Sequence, residues 1–94
     1  MLWLSMIVGD DLNKKRLLSR IMNNQKNVLF NDFITVVDAY GFNCKRREGS
    51  HRIFKNLNVT ELLNLQEENG MAKPYQIKQF LYLVEKYKLE MEDK

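Results

Sequence analysis

Of 94 residues, only one is cysteine, one histidine, one proline and one tryptophan, and four are glycine. A single cysteine, Cys44, excludes an internal disulfide and every cysteine-rich zinc site. A single histidine, His51, leaves a His/Cys metal centre with two such ligands, and any triad with one imidazole to build on. No repeat, low-complexity tract or Pro/Gly linker divides the chain, and the glycines and proline fall at element edges. Residues 1–8 are almost wholly apolar, but they lack a basic leading segment and are followed by Gly9-Asp10-Asp11. They are far shorter than the ~20 residues of a membrane span. They read as a short added strand or as a leader before a start at Met6, and the chain as cytoplasmic with no membrane partner. The carboxylates Glu67-Glu68 and those of residues 90–93 have no paired spacing that suggests a metal or glycosidase site, so no cofactor is expected.

What is present suffices for one small core. The chain is 45% hydrophobic, 29% charged and 11% aromatic, too apolar for disorder and too short for two independent cores. Leu17, Leu18, Ile21 and Met22 recur at helical spacing within residues 13–23, with Lys14, Lys15, Arg16 and Arg20 around them. Asn31 offers an N-cap to a short second helix carrying Phe33, Val36, Val37 and Tyr40, and Gly41 sits where a left-handed residue ends it. From Phe42 the period changes to that of strands. Residues 42–46 and 50–55 read as a β-hairpin, and residues 61–66 as a third strand. Pro74 opens a last helix whose apolar face is Ile77, Phe80, Leu81, Val84 and Tyr87, with Gln76, Lys78, Gln79, Glu85 and Lys86 opposite. The order α-α-β-β-β-α gives an α+β fold, a three-stranded antiparallel sheet with helices on one face and the other face free for a ligand.

Chemistry concentrates in the hairpin. Residues 42–55 hold Lys45, Arg46, Arg47, Arg52 and Lys55 against Glu48 alone, whereas the whole chain carries only +3. Cations crowded on adjoining strands repel one another, a cost that a bound polyanion relieves. His51 lies among them, and its imidazole can exchange a proton near neutral pH. RNA brings its own nucleophile, the 2′-OH, so cleavage needs only proton transfer and charge stabilisation. Residue types alone reach an RNA binder and no further. Cys44 reads as a small core residue.

The ordered set Gly41-Phe42, Arg46 and Gly49-Ser50-His51-Arg52-Ile53-Phe54 resembles the signature of HicA-type toxins of prokaryotic toxin–antitoxin pairs. Residues 61–66, Glu-Leu-Leu-Asn-Leu-Gln, and 72–80, Ala-Lys-Pro-Tyr-Gln-Ile-Lys-Gln-Phe, are similar to one subgroup of that family. With the first helix, the resemblance covers most of residues 13–89, leaving 1–12 as an extension and 90–94 as a charged tail. It implies a fold similar to double-stranded-RNA-binding domains, metal-independent cleavage of mRNA, and neutralisation by a HicB-type antitoxin. The family's catalytic histidine falls on His51. Lys45, Arg46, Arg47, Ser50, Arg52 and Lys55 would then hold RNA, and Ile53 with His51 would meet the antitoxin. A non-catalytic RNA-binding module on the same fold, or a purely protein-docking face, remains an alternative.

Which way His51 points depends on the turn. A two-residue loop at Glu48-Gly49 pairs Arg46 with His51 and sends His51 and Ile53 into the core, but demands a positive φ at Glu48 or glycine first. A three-residue loop, Arg47-Glu48-Gly49, puts Gly49 in the left-handed bulge position and pairs Lys45 with His51 and Phe42 with Phe54. Phe42, Cys44 and Phe54 are then core, while His51, Ile53, Lys45 and Lys55 are open, and Arg52 must snorkel or find a partner on the core side. Turn chemistry favours the second, and the family resemblance points the same way.

Overall fold

The computed structural model describes residues 2–92, with side chains described from Asn13 onward; Met1, Asp93 and Lys94 fall outside. The order is α1 (Leu2–Asn23), α2 (Phe30–Ala39), β1 (Asn43–Glu48), β2 (His51–Lys55), β3 (Leu63–Gln66) and α3 (Pro74–Lys86). The strands form the expected three-stranded antiparallel sheet, in the order β1-β2-β3. No helix among the described residues is long and apolar enough to cross a membrane.

Residues 2–8 are helical, not an added strand; α1 runs unbroken across residues 12 and 13. Its C-terminal carbonyls are met by a side chain, since Gln25 Nε2 donates to the carbonyls of Ile21 and Met22. α2 begins one residue before the expected cap. Leu29 holds the cap position in extended geometry without a side-chain bond, and Asn31 lies inside the helix. The early start follows from tertiary pairing: Phe30 N–H donates to Gly70 C=O and Ala72 N–H to Val28 C=O, so residues 28–30 leave an extended contact directly into the helix. Gly41 ends α2 at φ +87°, and Pro74 opens α3.

The core lies between the helices and one face of the sheet. Ile21 of α1, Phe33, Val36 and Val37 of α2, Phe54, Leu63 and Leu65 of the sheet, and Ile77, Phe80 and Leu83 of α3 are all buried. Phe80 is its hub, meeting Phe33, Tyr40 and Phe42 edge to face at centroid distances of 5.6, 5.6 and 5.8 Å. The chain after α3 also turns back onto this body. Glu92 N–H donates to Ala39 C=O, and Leu89 and Met91 pack against the core, so the residues expected as a charged tail are docked as far as Glu92.

β1 departs from its expected register. The loop is neither Arg47-Glu48-Gly49 nor Glu48-Gly49, but the two residues Gly49-Ser50, so that Glu48 pairs with His51, Arg47 with Arg52 and Arg46 with Ile53. Gly49 has φ +60° and Ser50 does not, which suits the type II′ turn with glycine first. A bulge between Cys44 and Arg46 then shifts the pairing to Cys44 with Phe54 and Asn43 with Lys55. Cys44 shares the side of Phe54 yet is exposed, because the helices do not cover this edge strand.

Candidate nucleic-acid interface

β2 carries the faces of the sheet, and Phe54 fixes them. Its ring is 3% exposed, which sends Arg52 to the same side and His51, Ile53 and Lys55 to the open side. From β3, Asn64 and Gln66 join the open face, while Leu63 and Leu65 are fully buried. From β1, Arg46 and Glu48 stand opposite Ile53 and His51. The open face is therefore a polar row around one half-exposed isoleucine.

His51 is partly exposed, and its Nδ1 lies 3.1 Å from Asn64 Oδ1. An amide oxygen can only accept, so this contact is a hydrogen bond when Nδ1 carries the ring hydrogen. Beside it a short relay crosses the end of the sheet: Lys73 Nζ donates to Gln66 Oε1, and Gln66 Nε2 donates to Ser50 Oγ at 3.2 Å. Ser50, next to His51 in the chain, is thereby tied to the end of β3.

The predicted cations divide. Arg46 and Lys55 lie on the His51 face, and Arg46 Nε is 2.9 Å from Glu48 Oε1, an exposed pair of small energetic value. Lys45, expected beside His51, is the extra residue of the bulge. Arg47 and Arg52 are directly opposite one another on the helix side of the sheet. Arg52 does find the partner that its position demands: its guanidinium stands 5.1 Å from the centroid of the Phe30 ring. Arg47 is exposed and has only this like-charged neighbour across the ladder, an arrangement that costs stability. The positive charge thus wraps the hairpin, reaching both sides of β1, instead of lining one face.

Two residues near the site lie in the stretches that resemble the family, yet the sequence did not single either out as functional. Asn64 is one. The other is Gln76, expected on the polar face of α3 but only 6% exposed. Its Oε1 accepts Gln66 N–H at 3.0 Å and its Nε2 donates to Asn64 C=O at 3.1 Å, so one side-chain amide seals the outer edge of β3 as a further strand would. A cavity of about 410 Å³ lies elsewhere, between α1 and α2, lined by Leu17, Ile21, Val28 and Leu29 with Arg20 and Asp32. No group of three or more His, Cys, Asp or Glu side chains able to hold a metal ion occurs among the described residues. Comparison with known protein families, curated proteins and solved structures finds no match to this chain.

Proposed function

We propose that this chain is a toxin-type endoribonuclease that cleaves mRNA in the cytoplasm without a metal ion, with His51 as its proton-transfer group. The observation that carries the reading is the ring's setting: a partly exposed imidazole with Nδ1 against Asn64, on the open sheet face that also carries Arg46 and Lys55. The resemblance of residues 41–54 and 61–80 to HicA-type toxins supports it from the sequence side.

With Nε2 as base, the 2′-hydroxyl loses its proton as O2′ attacks the adjacent phosphorus. The P–O5′ bond breaks, leaving a 2′,3′-cyclic phosphate and a 5′-hydroxyl oxygen that takes up a proton. Arg46, Lys45 and Lys55 hold the backbone near this site, and Arg47 and Arg52 extend the grip around the hairpin. Phosphate contacts of this kind position RNA without reading its sequence. A nuclease of this kind needs a silencer in the cell that makes it. A HicB-type antitoxin would cover the same face, with Ile53 as apolar anchor inside a rim of charge.

Purified wild type and His51→Ala, incubated with RNA with and without EDTA, test the reading. Cleavage by wild type that survives EDTA, leaves 5′-hydroxyl ends and is lost in His51→Ala with binding retained is the expected result. RNA binding without cleavage would make the chain a non-catalytic RNA-binding module. Cleavage that EDTA abolishes, leaving 5′-phosphates, would mean metal-activated water and overturn the role of His51.

A further inference from the structure

We propose that Asn64 is a positioning residue for His51, its Oδ1 fixing the Nδ1–H tautomer and so presenting the Nε2 lone pair to whatever lies on the open face. Register makes the contact: Asn64 pairs with Ile53 and Gln66 with His51, so Asn64 stands diagonally beside the imidazole on the same face. Its backbone is held unusually well for an exposed edge residue. Leu63 and Leu65 on either side are fully buried, and Gln76 binds both the Asn64 carbonyl and the Gln66 N–H. The acceptor is therefore anchored through α3, and the ring it orients belongs to a different strand.

A neutral acceptor matters here. A carboxylate in this position would favour the charged ring and occupy Nε2 with a hydrogen to higher pH, whereas an amide orients without adding charge. The charged groups facing the ring from its neighbours are few. On β1, Glu48 lies opposite and is tied to Arg46; beyond β3, Lys73 is tied to Gln66; Lys55 is further along β2 itself. For its catalytic consequence the proposal rests on the ribonuclease reading; for the tautomer it does not.

Both parts are testable because the chain has one histidine, so the imidazole signals need no assignment. Nitrogen-15 spectra of wild type, Asn64→Ala and Asn64→Asp, recorded with the ring neutral, report the tautomer. Cleavage as a function of pH reports the consequence. Wild type is expected to show Nδ1–H and Asn64→Ala to lose that preference. In Asn64→Ala, kcat should fall roughly tenfold or more with KM little changed, the pattern of a base whose orienting partner is lost. Asn64→Asp should keep Nδ1–H, recover activity at high pH, and move the rising limb of the pH profile upward by about one unit or more. A wild-type ring in the Nε2–H form, or an Asn64→Ala ring indistinguishable from wild type, overturns the proposal. So does a changed tautomer with cleavage and pH profile unaltered. If wild type cleaves no RNA, the ribonuclease reading falls, and the ring spectrum alone decides whether Asn64 sets the tautomer.

Discussion

β1 and β3 flank the same central strand, and their side chains are spent differently. In β3, two leucines are fully buried, the alternation is regular, and the outer edge is closed by the Gln76 amide. In β1, all six residues are exposed, a bulge interrupts the ladder, and the outer edge is open. An open edge invites pairing with other chains, and β1 carries the devices that discourage it: a bulge and three consecutive cations, Lys45, Arg46 and Arg47. The difference teaches that the sheet is anchored from one side only. β3 supplies adhesion to the helices, β2 sets the faces, and β1 is free to hold charge.

The largest effect should come from breaking the anchored side. Leu65→Ala removes a fully buried side chain between the sheet and the helices, and about 2–5 kcal/mol of stability should go with it. Urea denaturation checks this; a loss under 1 kcal/mol would mean that β3 is not the anchor. Next comes the edge seal. Gln76→Ala strands the Gln66 N–H and the Asn64 carbonyl and should cost about 1–3 kcal/mol, whereas most surface glutamines cost nothing measurable. Protection of the Gln66 amide from hydrogen exchange should fall with it.

Local chemistry made much of this fold legible. Pro74 and Gly41 mark the helix ends by their backbone preferences, and Phe33, Tyr40, Phe42 and Phe80 declare the core by spacing. The faces of β2 were legible even though its pairing with β1 was not. Burying Phe54 fixes the alternation of His51, Arg52 and Ile53 whatever the turn, so an error in the loop displaces β1 alone. The loop was missed because Gly49, which opens a type II′ turn at Gly49-Ser50, suits the left-handed place in a three-residue loop equally well. The bulge at Lys45 and the exposure of Cys44 were not readable, because both depend on helices failing to reach an edge. Gln76 was misplaced for a related reason. Helical periodicity puts it among polar residues, and only the neighbouring strand's unpaired N–H and C=O draw it inward.

A smaller effect, with a pH signature, belongs to the approach to β3. Glu61 accepts from Lys86 Nζ and from the Tyr87 hydroxyl, and these hydrogen bonds lower its pKa from 4.5 to about 2. A carboxylate whose pKa is depressed by folding stabilises the fold above its ordinary value and loses that contribution as pH falls toward the depressed one. Wild type should therefore exceed Glu61→Gln in melting temperature at neutral pH, with the gap closing between pH 4.5 and about 2. Because the cluster is solvent-exposed, the gap should also narrow in high salt. A gap that persists at pH 2 would assign the effect to shape instead of charge.

The smallest effect on stability should come from β1, and it tests the comparison from the other side. Arg47 is exposed and lies opposite Arg52, so Arg47→Ala removes a like-charge pair and no buried contact. Stability should change by less than about 0.5 kcal/mol. RNA affinity, on the proposed reading, should nonetheless fall, and about equally for unrelated sequences, since a phosphate contact carries no base information. The slope of log affinity against log salt should shrink by somewhat under one unit, the signature of one lost counterion-releasing contact on a single strand. A loss confined to particular sequences would make Arg47 a base reader. Unchanged affinity would leave its charge to the solvent. A marked loss of stability would break the comparison itself, because β1 would then be holding the sheet together as β3 does.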